Sequence, residues 1–154
     1  MIKNKAQRSP RFIRRRSGIH GFGIFALKTI PAQTRLIEYK GALITSDEAE
    51  GRYPEIEIPP HTFLFDADED LYIDAGVNGN SARWINHSCD PNCETVQEGR
   101  RVFIETIHRI RPGEEIVYDY LITLDGPHDA GAKKLWLCRC GAKNCRGTML
   151  APKR

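Results

Sequence analysis

The chain has 154 residues, 40% of them hydrophobic, and a formal net charge of +3. That length suits one domain with its own core, and the lack of any 18-residue apolar run excludes a membrane-spanning helix. The opening MIKNKAQRSPRF lacks the apolar stretch of a secretory signal, which predicts an intracellular, reducing setting in which the five cysteines are metal ligands and free thiols rather than a disulfide frame.

Residues 1–16 carry Lys3, Lys5, Arg8, Arg11, Arg14, Arg15 and Arg16 and no acid, the composition of an arm that contacts nucleic acid or of a solvated face. RFIRRR (11–16) is a β-branched and aromatic run and predicts a strand. SGIHGFGIFA (17–26) sets Gly18, Gly21 and Gly23 among apolar residues. It matches neither the dinucleotide G-x-G-x-x-G nor a Walker loop, so phosphate cradling is disfavoured. Its glycines let backbone approach a flat ligand, and a plain turn fits the stretch equally well.

TRLIEY (34–39), TFLF (62–65) and LYIDA (71–75) predict further strands, and TSDEAEGRY predicts a helix with Thr45 and Glu48 at capping-box spacing. Across 38–74 stand Glu38, Asp47, Glu48, Glu50, Glu55, Glu57, Asp66, Asp68, Glu69, Asp70 and Asp74, against Lys40 and Arg52 alone. Such a segment repels phosphate backbones and attracts Lys/Arg-rich peptides, unless it is only a solvated face.

A short helix from Ser81 into Ile85 leads to RWINHSCDPNC (83–93), which packs Asn86, His87, Cys89 and Cys93 behind Trp84 and Ile85. A zinc site, a cysteine-histidine nucleophile and a binding loop for a polar small molecule are all open from these residues. The nucleophile is the weakest, because His87 and Cys89, two apart on a turn, rarely align as base and attacking atom. RVFIETI (101–107) and EIVYDY (115–120) complete the strands; in the second, Tyr118 and Tyr120 share a face at period two, the pattern of a half-buried aromatic stripe. Near the end, CRCGAKNC places Cys138, Cys140 and Cys145 in a C-x-C-x4-C knuckle suited to tetrahedral zinc, with a fourth position that Cys89 or Cys93 can fill.

Taken together, HGFG, EYKG, RWINHSCDPN, EEIVYDY and CRCGAKNCRG occur in an order that resembles the SET-domain protein lysine methyltransferases over residues 12 to 150. The resemblance implies a mainly β fold of small curved sheets, with a pseudoknot-like C-terminal threading and few short helices. It divides the chain into a basic arm (1–11), a SET domain (12–124) with an acidic insert at about 45–80, a post-SET zinc knuckle (134–150) and a tail (151–154). It implies S-adenosylmethionine held by His20, Gly21, Phe22, Gly23, Phe63, Arg83, Asn86, His87 and Leu150, and Zn2+ held by Cys89, Cys138, Cys140 and Cys145. Cys93 is left as an unliganded thiol. Tyr120 matches the catalytic tyrosine, Tyr39 a channel residue, and Tyr118 the position that limits how many methyl groups fit.

Three departures from the family pattern stand out: no cysteine-rich pre-SET stretch precedes residue 12, Phe63 occupies a position that is often tyrosine, and Trp84 replaces phenylalanine. The expected activity is mono- or dimethylation of lysine in a protein, a histone or similarly Lys/Arg-rich, in the cytoplasm or on chromatin in the nucleus, with a weak nucleic-acid contact through the basic arm and no membrane. The alternative is an inactive zinc-stabilised module that binds peptide or nucleic acid.

Overall fold

A computed structural model describes residues 9–54 and 63–152. Residues 1–8 of the basic arm, Glu55 and Glu57, the first residue of the expected strand 62–65, and residues 153–154 lie outside them. The chain opens with a hairpin, β1 (Phe12–Arg16) against β2 (Phe22–Ala26), in register from Phe12 opposite Ala26 to Arg16 opposite Phe22. Gly21 sits at φ 43°, the left-handed region that favours glycine, and its carbonyl accepts the Ser17 N–H at 2.8 Å. Gly-Phe-Gly-Ile-Phe-Ala thus runs from turn to strand, because Ile24 and Ala26 are buried and β2 pairs on its other side with β10 (Glu115–Tyr118).

After β3 (Arg35–Glu38) the chain leaves this layer for a three-stranded sheet of β4 (Ala42–Thr45), β6 (Leu71–Asp74) and β5 (Leu64–Asp68), with β6 central. Gly41 permits the approach: a Cβ there would lie 2.3 Å from the Asp74 carbonyl oxygen. Helix α1 (Ser46–Arg52) starts as its sequence predicts, with the Thr45 hydroxyl accepting the Glu48 N–H at 3.2 Å and the Glu48 carboxylate accepting the Thr45 N–H at 2.8 Å. A 3-10 turn (Ser81–Trp84) precedes the two-residue strand β7 (Asn86–His87).

The larger sheet runs β1-β2-β10-β8-β9-β3, with β8 (Cys93–Glu98) and β9 (Arg101–Thr106) forming a six-residue antiparallel ladder. In its centre β10 pairs parallel with β7, Val117 opposite Asn86 and Tyr118 opposite His87, and with β8 through Tyr118 and Cys93. The segment after β10 folds back on the C-terminus through bridges between Ile122 and Leu150 and between Leu137 and Thr148. Two stretches 31 residues apart in the chain, Asn86 from Val117 and His87 from Tyr118, thus meet at the centre of the molecule. Ile24, Ile30, Val102, Ile104, Ile110 and Ile116 fill the core beneath, each at most 2% exposed.

Five elements depart from the sequence reading, β2 and β7 among them, since neither the glycine stretch nor RWINHSCDPNC carried a strand expectation. β4 lies where the run before the helix carried no strand expectation, and β8 (CETVQE) is too polar to announce itself; its ladder with β9 makes it a strand. Helix α2 (Ala130–Leu135) buries no residue and owes its start to Asp129, whose side chain accepts the Ala132 N–H at 2.8 Å.

Candidate active site

Three tyrosines come together where the two sheets meet. Tyr39, just past β3, donates its hydroxyl to the Phe63 carbonyl at 2.8 Å, and Tyr120 donates to the Ile85 carbonyl at 2.5 Å. Tyr118 lies between them: its ring centroid is 4.9 Å from that of Tyr120 and 6.4 Å from Phe65, which in turn lies 5.2 Å from Tyr39. The two tyrosine rings stay in contact as period two predicts, although β10 itself ends at Tyr118 and Tyr120 lies just beyond it. Tyr39 and Tyr118 are 5% and 4% exposed. Burial first, and neighbouring acidic groups second, raise the pKa of all three phenols, so each stays protonated and uncharged at neutral pH.

Asn86 ties this centre to the glycine loop. Its Nδ2 donates toward the carbonyls of His20 and Phe22, at 3.1 and 2.9 Å, and to Glu115 Oε1 at 2.9 Å. Glu115 also accepts the Ser17 hydroxyl at 2.9 Å. A Cβ on Gly23 would lie 2.0 Å from Glu115 Oε1, so Gly23 is needed for this carboxylate to dock. The Asn86 amide nitrogen is thus spent on the protein. Beside Gly18 and Gly21 a Cβ would meet nothing within 4 Å, so the outer side of the loop is open, as a flat ligand lying against backbone requires. Sequence reasoning missed Ser17 and Glu115; the available signal was an acid opening an otherwise apolar strand.

Phe22 and Phe63 each meet the Trp84 ring edge-on, at 5.6 and 5.5 Å, and the Arg83 guanidinium lies over Trp84 at 4.8 Å and over Phe63 at 5.4 Å. Arg14 and Arg16 of β1 lie over Phe22 at 4.6 and 5.5 Å. The structure thus gathers His20, Gly21, Phe22, Gly23, Phe63, Arg83 and Asn86. Leu150 is placed differently: it is 1% exposed and lines a cleft of about 640 Å³ with Asp125 to His128, Lys133, Arg146 and Thr148, and neither the glycine loop nor a tyrosine lines that cleft.

His87 faces the tyrosines on one side and sulfur on the other. Its Nδ1 accepts the Tyr120 N–H at 3.0 Å, while Nε2 lies 3.4 Å from Cys89 Sγ. Burial lowers its pKa to about 4 against the pull of Asp119, which keeps the ring neutral and able to accept at Nδ1.

The Sγ atoms of Cys89, Cys138, Cys140 and Cys145 lie within 4.8 Å of one another, with Cys89 3.8 Å from Cys138 and 4.0 Å from Cys145. Tetrahedral zinc with bonds of about 2.3 Å sets its sulfurs about 3.8 Å apart, so the four fit such an ion. Backbone N–H groups of Cys140, Arg146 and Gly147 point at the sulfurs of Cys138, Cys89 and Cys145, at 3.3 to 3.5 Å. Cys93 takes no part: it is fully buried in β8, and burial pushes its thiol up to about 12. Of the two candidates for the fourth position, the fold brings Cys89 to the cluster. His87 and Cys89 do approach, at 3.4 Å, contrary to what two residues apart on a turn predicts, but that sulfur lies among three others.

Comparison with known proteins agrees with this geometry. Residues 21–121 match the SET domain family. The chain is 39% identical over 141 residues to the histone-lysine N-methyltransferase set1 of Dictyostelium discoideum, covering 87% of this chain and 9% of that protein. It is 38% identical over 141 residues to the human histone-lysine N-methyltransferase SETD1B, covering 87% and 7%, and 39% identical over 140 residues to trr of Drosophila melanogaster, covering 87% and 6%. The chain therefore spans less than a tenth of the length of these relatives. A solved structure described as ctPRC2 in an autoinhibited conformation bound to S-adenosylmethionine aligns with a TM-score of 0.66 at 30% identity, covering 73% of this chain and 15% of that one. The family match runs from the glycine loop past the last tyrosine, enclosing Asn86, His87 and the whole tyrosine centre, and on that span the chain belongs to the SET-domain family.

Proposed function

We propose that this protein transfers a methyl group from S-adenosylmethionine to the side-chain amine of lysine in a protein. The observation that carries this reading is the tyrosine centre, an uncharged cluster of phenols and carbonyls, joined by Asn86 to an open glycine loop. A sulfonium methyl donor supplies the electrophile; what the chain must supply is a neutral amine, held in line. A free lysine has a pKa near 10.4, so deprotonation at pH 7 costs roughly 4 to 5 kcal/mol. An amine brought in this reading against Tyr39, Phe65, Tyr118 and Tyr120 loses its ammonium form by desolvation, without a carboxylate to hold the proton. In this reading Tyr120 orients the amine and favours the methyl through weak C–H···O contact, with the Ile85 and Phe63 carbonyls beside it.

The glycine loop from His20 to Gly23, the Asn86–His87 main chain, Phe63 and Arg83 are assigned to the methyl donor, while Leu150, buried beside a separate cleft, is left without a part in it. The four cysteines are assigned to Zn2+ and residues 134–150 to a post-SET knuckle, whose service is structural. Relatives named histone-lysine N-methyltransferases favour a Lys/Arg-rich substrate and, of the two compartments, the nucleus; nothing favours the cytoplasm. The exposed Arg14, Arg15 and Arg16 of β1 support a contact of the basic arm with nucleic acid. No observation favours an inactive binding module.

Calorimetric titration with S-adenosylmethionine, followed by tritiated-methyl transfer to a basic peptide, tests the reading. Saturable binding and base-stable label on the peptide are expected. Absence of saturable binding, or binding without transfer across Lys/Arg-rich peptides, overturns it.

A further inference from the structure

The acid between the two tyrosines is claimed by the cysteine cluster's own segment. Asp119 accepts a two-pronged bond from Arg146, Nη1 to Oδ2 at 2.7 Å and Nη2 to Oδ1 at 3.0 Å. The same carboxylate accepts the Leu121 N–H at 3.1 Å, closing the turn that carries Tyr120 and in which Leu121 stands at φ 47°, a conformation unfavourable for a residue with a Cβ. Asp119 Oδ1 also lies 3.5 Å from His87 Nδ1, the atom that accepts the Tyr120 N–H. Arg146 follows Cys145 directly, its own N–H points at Cys89 Sγ at 3.5 Å, and its Nη2 lies 3.5 Å from the Leu150 carbonyl. The contacts close a ring, from Cys89 through His87 to Tyr120 and Asp119, and through Arg146 back to Cys89.

We propose that Arg146 is a positioning residue: its two-pronged pair with Asp119 carries the order of the four-cysteine centre to the Tyr120 hydroxyl. Filling the cysteine site and setting the tyrosine are then one event. The inference rests on the methyl-transfer reading for its kinetic consequence but not for the linkage itself. Arginine suits the role because its planar fork matches both carboxylate oxygens, which a lysine ammonium cannot do. The fork works through its two outer nitrogens alone, for Nε is buried and finds no partner among the described residues. Asp119 and Arg146 are 16% and 26% exposed, so the pair is sheltered enough for its geometry to be held.

The test uses the full, zinc-loaded chain and compares Arg146→Lys, Arg146→Gln, Asp119→Asn and the Arg146→Gln/Asp119→Asn double with Lys143→Gln, an exposed charge loss in the same segment. Metal content is expected to stay at one equivalent while kcat falls roughly ten- to hundredfold, with KM for peptide within about twofold of wild type. Hydrogen exchange at the Tyr120 amide is expected to quicken in step, the double variant to be no worse than the worse single, and Lys143→Gln to match wild type. Arg146→Lys, which keeps the charge but not the fork, is expected to fall between wild type and Arg146→Gln. The inference is overturned if kcat falls only in proportion to metal lost, if Tyr120 exchange is unchanged, or if the two single effects add. Wild type that binds S-adenosylmethionine but transfers nothing refutes the methyl-transfer reading, while the exchange measurement still decides the linkage.

Discussion

Strand β5 shows two faces to two environments. Phe65 packs between Tyr39 and Tyr118 and Ala67 is 1% exposed, whereas Asp66 and Asp68, alternating with them, stand out in solvent near Glu69 and Asp70. The inner face excludes charge; the outer face concentrates it. A lysine must be attracted as a cation and react as a neutral amine, and those demands call for opposite dielectric surroundings. One strand with period two places them a side chain apart. Asp74 shows that the acidic run is not uniform, because it is fully buried and held by Arg52 at 3.0 Å, by the Tyr53 hydroxyl at 2.9 Å and by the Gly76 N–H at 2.9 Å. It anchors α1 to β6 and is no part of the outer field.

The inner side breaks most completely from beneath. Serine at Cys89, Cys138, Cys140 or Cys145 should remove one zinc equivalent and most transfer, since three remaining sulfurs hold the ion poorly and His87 loses its neighbour. Metal analysis of the purified variants checks this, and Cys93→Ser should keep its zinc. Next in size, Tyr120→Phe should lose roughly hundredfold or more in kcat with the fold intact, the scale for removing one preorganised polar group from a reacting centre. Near-normal kcat with unchanged circular dichroism would contradict the role given to that hydroxyl.

Tyr118→Phe should sharpen the comparison. In the proposed reading a hydroxyl there would hold a water beside the amine, and releasing it would make room for a further methyl; at about 0 to 2 kcal/mol the bias in later steps would be several-fold to about thirtyfold. Product mass spectra should shift from mono- and dimethyllysine toward trimethyllysine, with the first methylation retained. Smaller still, reversing Asp66, Asp68, Glu69 and Asp70 together should raise KM for a basic peptide a few-fold at low salt, an effect that fades as ionic strength rises, with kcat unchanged. An equal KM at low salt leaves the outer face with no part in recruitment. Smallest of all, Cys93 should resist alkylation in the folded, metal-stripped protein while Cys140, less buried and lowered to about 6 by hydrogen bonds that outweigh its burial, reacts, because burial keeps the Cys93 thiol protonated.

Much of this was legible in the chain because the residues that meet are chemically distinctive. The capping box at Thr45 and Glu48, the aromatic strands and the cysteine spacing each announce a local geometry. The choice between Cys89 and Cys93 could not be made from spacing, since both stand within reach of a knuckle some 50 residues away; the parallel pairing of β7 with β10 decides it. Residues whose work depends on a distant partner were silent. Glu115 reads as one more strand-edge acid until Ser17 and Asn86 are placed on it, and Asp119 and Arg146 read as surface charges until the fold joins them. β8 and α2 were missed for the same reason, being polar segments whose structure comes from a neighbour or a cap.

The central claim is that a methyl group passes to a neutral lysine amine held against an uncharged tyrosine centre. It is tested most directly by incubating wild-type protein with S-adenosylmethionine and a Lys-rich peptide and mapping the product by fragmentation mass spectrometry across a pH series. The account predicts a methyl mass increment on a lysine side-chain nitrogen, with a rate that rises with pH as the neutral amine fraction grows, about tenfold per unit below the amine's pKa. Methylation at another residue type, or none despite bound S-adenosylmethionine, would contradict it.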